Sequence, residues 1–215
     1  MHGERHGYLR PMQSPIDVRD RECYTVDQFQ ISEAYRSDLE GVLIPRDEIE
    51  DRVAQLAAAV TDEHRSNPDF YPICVLKGAM RFFVDLLREL ELAVPYSEGI
   101  VHSSRYQSGP AADTPDVQFF DEERLAGKDV LLVEDILHEG NTLATLRDRV
   151  EAFDPNSVSI ATLFEVDFDR DVDVDPAYSG FLLPDSFFVG YGLDYEERYR
   201  DLRHLGVLNQ EILGD

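Results

Sequence analysis

VLLVEDILHEGNTL, residues 130–143, carries the pattern around which the rest of the chain is organised. Asp129–Val133 (DVLLV) is apolar after its first residue, as expected of a strand buried on both faces. It delivers two adjacent carboxylates, Glu134 and Asp135, to its C-terminal end. A turn containing Gly140 follows, and a helix is expected from about Thr142 to Phe153. In open parallel sheets, ligands bind in the crevice outside the carboxyl ends of the strands. Backbone N–H groups at a helix N-terminus favour an anion, and glycine lets a phosphate approach closely. Acids beside such a site suit ribose hydroxyls or a Mg²⁺ ion. A strand ending in solvated acids before an ordinary turn would show the same spacing.

Upstream, Tyr71–Leu76 (YPICVL) reads as another buried strand. It runs through Lys77-Gly78 into a helix at about Met80–Leu92, with Phe83, Leu86, Leu87 and Leu90 facing inward. A longer helix is expected from Arg46 to about His64, started by Pro45 and presenting Ile49, Val53, Leu56 and Val60 on one face. Ile100–Tyr106, Ser157–Phe164, Phe187–Tyr191 and Leu205–Leu208 are further strand candidates. Residues 107–120, QSGPAADTPDVQFF, read as a long loop. Apolar strands alternating with amphipathic helices imply an α/β fold with a mainly parallel sheet covered on both faces. Residues 1–35, polar and broken by Pro11 and Pro15, read as an arm preceding one domain over residues 36–215.

Composition narrows the partners. The chain has 215 residues, with 44 acids against 20 bases and a net charge of −24. That disfavours nucleic acid and anionic membrane surfaces, both of which need a basic footprint. Only Lys77 and Lys128 are lysines, and an acid-rich, lysine-poor surface suits a high-salt environment. Cys23 and Cys74 are far apart and fit a reducing compartment with inert thiols. No apolar stretch is long enough for a bilayer, and MHGERHGYLR lacks the apolar run of a secretory signal, so a soluble cytoplasmic protein is expected. Asp167, Asp169, Asp171, Asp173 and Asp175 alternate strictly; a solvated acidic segment is expected rather than a Ca²⁺ loop, which would need a glycine.

Residues 130–143 resemble the ribose-5-phosphate signature of type I phosphoribosyltransferases. ICVLKGAMRFFVDLLREL (73–90) and FFVGYGLDYEERYRDLRHLGVL (187–208) resemble segments of the hypoxanthine–guanine branch, and LIPRDEIEDRVAQLA (43–57) fits its first helix. The resemblance implies the type I fold: a central, mainly parallel sheet flanked by helices, plus a small hood from the N- and C-terminal segments. It implies transfer of ribose 5-phosphate from phosphoribosyl pyrophosphate to a purine base in purine salvage, with Mg²⁺, by a homodimer or homotetramer. Glu134 and Asp135 would hold the ribose hydroxyls and a metal ion, and Asp194 would be the second metal-binding acid. Gly140, Asn141 and Thr142 would cradle the 5-phosphate. Lys77, Gly78 and Arg200 would meet pyrophosphate, and Phe187 would stack on the base, although a strand Phe is more often plain core. Ser103, Ser104 and Tyr106 fall at the closing lid, where Arg105 leaves the register open.

Three positions depart from the pattern. His138 stands where the resemblance implies an aspartate acting near N7 of the purine; a histidine can still move a proton there. Glu139 replaces a threonine that would donate to the 5-phosphate, and a carboxylate repels a phosphate unless it turns outward. Val166 replaces a lysine that would read the purine 6-oxo group. Two alternatives therefore stay open: a diverged transferase using another base or acceptor, and a non-catalytic nucleotide-binding or regulatory module.

Overall fold

The computed structural model describes residues 14–104, 116–119 and 124–213. Its elements run in chain order as β1 (Ile16–Asp17), α1 (Glu33–Arg36), β2 (Leu39–Ile44), α2 (Arg46–His64), β3 (Phe70–Leu76), α3 (Met80–Glu89) and β4 (Gly99–Ser104). Then come β5 (Asp116–Phe119), β6 (Asp129–Leu137), α4 (Asn141–Glu151), β7 (Ser157–Val166), β8 (Tyr178–Leu183), β9 (Phe188–Val189) and β10 (Leu205–Leu208). Seven strands form one sheet in the order β1-β8-β7-β6-β3-β4-β5, and β2-β10-β9 form a second, antiparallel sheet. In the large sheet only β5 runs antiparallel to its neighbour.

Period-two alternation within apolar strands explains the layers. Leu131 and Val133 of β6 face one side of the sheet, with Ile49, Val53, Leu56 of α2 and Phe82, Leu86 of α3. Val130 and Leu132 face the other, with Leu143, Leu146 and Val150 of α4. A strand buried on both faces has no polar side, which is why these runs lack polar alternation. The small sheet has its own core, in which Leu39, Val42, Val189, Tyr199, Leu202 and Leu208 pack together. It forms the hood from N- and C-terminal segments.

From β3 the chain steps through α3 to β4 on one side, whereas β6, β7 and β8 extend on the other. The neighbours β3 and β6 therefore mark a topological switch point, where their carboxyl ends part and open a crevice.

Several expectations change. The helix after Lys77 stops at Glu89, because Leu90 turns to extended backbone, and Phe82 is fully buried beside Phe83. Part of the expected loop 107–120 is strand β5, paired with β4; residues 107–115 and 120 lie outside the described residues. β6 continues through the two acids to Leu137, so Glu134 and Asp135 sit inside the strand. The expected strand 187–191 is only Phe188–Val189, because Gly190 (φ 102°) and Tyr191 (φ 47°) turn the chain away.

Residues 14–35 pack along the domain. β1 pairs parallel with β8, Tyr24 bridges to Val42, and Val18 and Ile31 are buried. Arg52 of α2, 3% exposed, fastens this edge. Its guanidinium donates to the carbonyls of Ser14 (2.6 Å), Ser179 (2.9 Å) and Gly180 (2.9 Å) and to Gln55 Oε1 (2.8 Å). No helix among the described residues is long and apolar enough to cross a membrane. Burial pushes the Cys74 thiol up to about 12, which keeps it inert, and both cysteines are free.

Candidate active site

The crevice at the switch point is a cavity of about 620 Å³. That falls within the ~300–1,000 Å³ usual for small-molecule sites. Its walls differ in chemistry from end to end.

One end is the N-terminus of α4. Gly140, at φ 84°, ends the turn in the left-handed region, where a side chain would also strike Val172. The first intrahelical bond runs from Ala144 N–H to the Gly140 carbonyl at 2.9 Å, and no side chain caps the helix. The first turn of this helix is thus the end whose backbone N–H groups favour an anion. Gly140, Thr142 and Leu143 line the cavity. The Glu139 and Asn141 side chains do not; both are exposed and face each other, Asn141 Nδ2 lying 3.5 Å from Glu139 Oε2. The carboxylate at the threonine position is thus exposed and does not line the cavity.

The floor is the pair of acids at the end of β6. Glu134 and Asp135 are 9% and 8% exposed. The Asp135 carboxylate accepts the Ile136 N–H at 2.9 Å, and Glu134 accepts the Asp135 N–H at 3.2 Å. Desolvation holds the Asp135 carboxyl above its ordinary range. Gly78 lies directly over this carboxylate, and a Cβ there would overlap it. Gly192 (φ 107°) lies behind Gly78 in turn, and a Cβ on it would overlap the Gly78 carbonyl. The Leu76–Lys77 peptide bond leading into Gly78 is cis.

The second end is cationic. Arg200 pairs with Asp194 at 2.7 Å and donates to the Gly192 carbonyl at 2.8 Å. Glu197 joins the two cations of this rim, with Oε2 3.0 Å from Lys77 Nζ and Oε1 3.3 Å from Arg200. This pairing holds the Glu197 carboxyl below its ordinary range.

The third wall is apolar and aromatic. Val166, buried at the end of β7, faces it, as do His138, Asp185, Ser186 and Phe187. Phe187 is 39% exposed and meets Tyr195 edge-on, so it is a lining residue and not core. The His138 ring packs edge-on against Phe168, with Nε2 buried, without a hydrogen bond, and 4.0 Å from Asp185 Oδ1. Behind this wall Arg170 donates to the carbonyls of His138 (2.7 Å) and Val166 (2.8 Å) and pairs with Glu165 at 3.1 Å. It ties the loop before α4 to the end of β7.

Of the residues expected from sequence, Glu134, Asp135, His138, Gly140, Thr142, Lys77, Gly78, Val166, Phe187, Asp194 and Arg200 converge on the one cavity. Ser103 and Ser104 end strand β4, and Tyr106 lies outside the described residues. Sequence reading missed Asp185, Ser186, Gly192 and Glu197. Asp185 and Ser186 sit just before the aromatic Phe187, which was the available signal. In the acidic segment Val172 and Val174 turn inward while the aspartates stay exposed, Asp167 pairing with Arg19 at 2.6 Å. No group of three or more His, Cys, Asp or Glu side chains could hold a metal among the described residues.

Hard carboxylate oxygens at Glu134 and Asp135 nevertheless fit Mg²⁺, which is usually held by one or two carboxylates plus substrate phosphates. Asp194 is spoken for by Arg200 and by the Glu197 N–H (2.8 Å).

Residues 45–196 match the family model described as the phosphoribosyl transferase domain. The chain is 39% identical over 168 residues to the hypoxanthine phosphoribosyltransferase of Salmonella typhimurium, covering 77% of this chain and 93% of that protein. It is 36% identical over 201 residues to the hypoxanthine-guanine phosphoribosyltransferase of Homo sapiens, covering 89% and 91%. A hypoxanthine phosphoribosyltransferase structure from Staphylococcus aureus superposes with a TM-score of 0.77 at 30% identity, over 86% of this chain and all of that one. A cavity running from an uncapped helix N-terminus over two buried acids to a cationic rim, in a chain with these relatives, leads to one conclusion: this protein belongs to the phosphoribosyltransferase family.

Proposed function

We propose that this chain transfers ribose 5-phosphate from phosphoribosyl pyrophosphate to a purine base of the hypoxanthine–guanine type, releasing pyrophosphate, in purine salvage. The observation that carries the reading is that one cavity brings together a helix N-terminus, two buried acids, a cationic rim and an aromatic wall, the set of groups such a substrate pair calls for. The α4 N–H groups and the Thr142 hydroxyl hold the 5-phosphate. Glu134 and Asp135 accept from the ribose hydroxyls, and their negative charge favours the oxocarbenium-like carbon formed as the bond to pyrophosphate breaks. Lys77, the Gly78 backbone and Arg200 receive the departing pyrophosphate. Phe187 and Val166 sandwich the base. As the new carbon–nitrogen bond forms, the base nitrogen loses its proton, and His138 Nε2, without a hydrogen bond in the structure, takes it. Ser104 and Tyr106 belong to the lid, while Glu139 and Asn141 contribute backbone only. Glu134 and Asp135 would hold Mg²⁺, with Asp194 as a further carboxylate, and the ion would supply charge neutralisation to the diphosphate.

The enzyme works in the cytoplasm as a homodimer or homotetramer, and residues 36–215 form the catalytic domain. The test is pyrophosphate release with phosphoribosyl pyrophosphate and Mg²⁺ against hypoxanthine, guanine, xanthine and adenine, at low and high salt. Release dependent on hypoxanthine or guanine supports the reading. Release with adenine alone replaces it by a transferase of altered base choice, as Val166 would suit. Tight nucleotide binding without release replaces it by a binding module.

A further inference from the structure

On the far side of the loop from Tyr191 to Arg203 lies a second cavity of about 230 Å³, lined by Arg46, Arg81, Tyr191, Leu202 and Arg203. Three arginines on so small a hollow are out of keeping with a chain that carries 44 acids and 20 bases. Elsewhere the positive side chains are spent on acids or carbonyls, as in Arg19, Arg21, Arg36, Arg52, Arg170 and Lys128. Among the arginines and lysines of the described residues only Arg81 and Arg203 make no hydrogen bond or ion pair, and both face this cavity.

Two of the acids nearest to it are already engaged. Glu50 takes Arg46 at 2.6 Å, and Asp85 accepts the Tyr191 hydroxyl at 2.7 Å with Arg88 at 3.6 Å. Asp47 lies on the His204 side. The Arg46 N–H donates to His204 Nδ1 at 3.0 Å, fixing that imidazole as an acceptor beside the cavity wall. What remains is a concave site with two free guanidinium forks, a third half-engaged, and buried Tyr191 and Leu202 at its base.

We infer that this cavity binds a phosphate group, as a second anion site separate from the candidate active site. Guanidinium forks match the oxygens of a tetrahedral phosphate better than a point charge does. The volume lies below the ~300 Å³ at which sites for drug-sized molecules begin, so the phosphate group enters alone or as the end of a longer ligand. The two sites draw on neighbouring stretches of the same segments. Arg81 is in the first turn of α3, just after Lys77 and Gly78, and Arg203 follows Arg200 by three residues. A phosphate bridging Arg81 to Arg203 would tie together the two segments that present the cationic rim.

The test is calorimetric titration of the full chain with inorganic phosphate, without Mg²⁺, in wild type, in Arg81→Gln/Arg203→Gln and in Lys77→Gln/Arg200→Gln. A parallel arm uses a nucleoside monophosphate, to separate free phosphate from a phosphate-bearing ligand. The first variant should weaken phosphate binding about tenfold or more, while the second leaves one site of wild-type affinity, within about twofold. Arg203→Gln alone, on an exposed side chain, should show the same direction at smaller amplitude. Unchanged affinity in Arg81→Gln/Arg203→Gln overturns the inference, as does absence of phosphate binding in wild type or its loss only in Lys77→Gln/Arg200→Gln. Light scattering in which Arg81→Gln/Arg203→Gln changes the oligomer while phosphate has no effect would also overturn it, and would give the cavity to a second copy of the chain.

Discussion

Gly78→Ala should destroy the candidate site through a single methyl group. Gly78 is not in the left-handed region, so alanine is conformationally acceptable and only space is at stake. The space is closed from both sides. The added Cβ would overlap the Asp135 carboxylate, which cannot retreat because it is buried and held by the Ile136 N–H at 2.9 Å. Gly78 cannot retreat either, because its carbonyl lies against Gly192, where even a Cβ would overlap it. Overpacking typically costs about 1–3 kcal/mol, and with both neighbours fixed the upper end applies, about 3 kcal/mol. For a chain of this size each kcal/mol lowers Tm by about 2–4 °C, so a fall of about 6–12 °C is expected, together with loss of pyrophosphate binding. Gly127→Ala is the control. Gly127 has φ 70° and open space within 4 Å of where a Cβ would stand, so only backbone strain of about 1 kcal/mol applies. Calorimetric melts and pyrophosphate titrations of both variants decide the matter. A Gly78→Ala protein that melts with wild type and binds pyrophosphate normally, or a larger loss at Gly127, would refute the reasoning.

Arg52→Met strips charged donors from three carbonyls along this edge and should cost about 1–3 kcal/mol for each buried acceptor left unpaired, read as a lowered denaturant midpoint. Val60→Ala, in the fully buried face of α2, should cost about 1.5–3 kcal/mol by the same readout. Burial holds the His64 and His204 imidazoles below their ordinary 6.5, so the unfolded chain binds protons first as pH falls. Stability should therefore be full above pH 6.5 and decline below it, and His204→Gln should flatten the slope of Tm against pH from 6.5 downward. Glu197→Gln frees Lys77 and Arg200 for pyrophosphate; because these pairs are exposed, titration should show only a few-fold gain in affinity, about two- to fivefold, shrinking in high salt.

How much of this was legible depends on whether local pattern or long-range packing decides. α2 was readable to the residue, because Pro45 starts it and its apolar period runs unbroken to His64. β3, β6, β7 and β10 were readable as apolar runs. β8 (YSGFLL) escaped because Ser179 and Gly180 dilute the run, yet Gly180 is required where its neighbour's Leu163 carbonyl leaves no room for a side chain. β2 escaped because LEGVLI passes straight into the helix that follows Pro45. In the site, the motif residues carried their own signal. Glu197 and Gly192 did not, since each acts through a partner distant in sequence: Lys77 and Gly78. Orientation was equally hidden: nothing in HEGNT says that Glu139 faces outward while His138 faces in.

The segment from Gly190 to Tyr199 holds Tyr191, Glu196, Glu197 and Tyr199 at positive φ, between 47° and 71°, in addition to two glycines. Side chains with a Cβ resist that conformation, so this stretch is retained for what its side chains touch: Tyr191 on Asp85, Glu197 on Lys77, Tyr199 on Asp38. The mutational landscape of the loop should therefore be inverted relative to the helices. In a library selected for folding alone, glycine and asparagine should accumulate at Glu196 and Glu197, where they are cheap to place and make a calmer backbone. In a library selected for turnover, the strained residues should be kept. The disagreement between the two selections, position by position, would chart how much stability the cationic rim has surrendered.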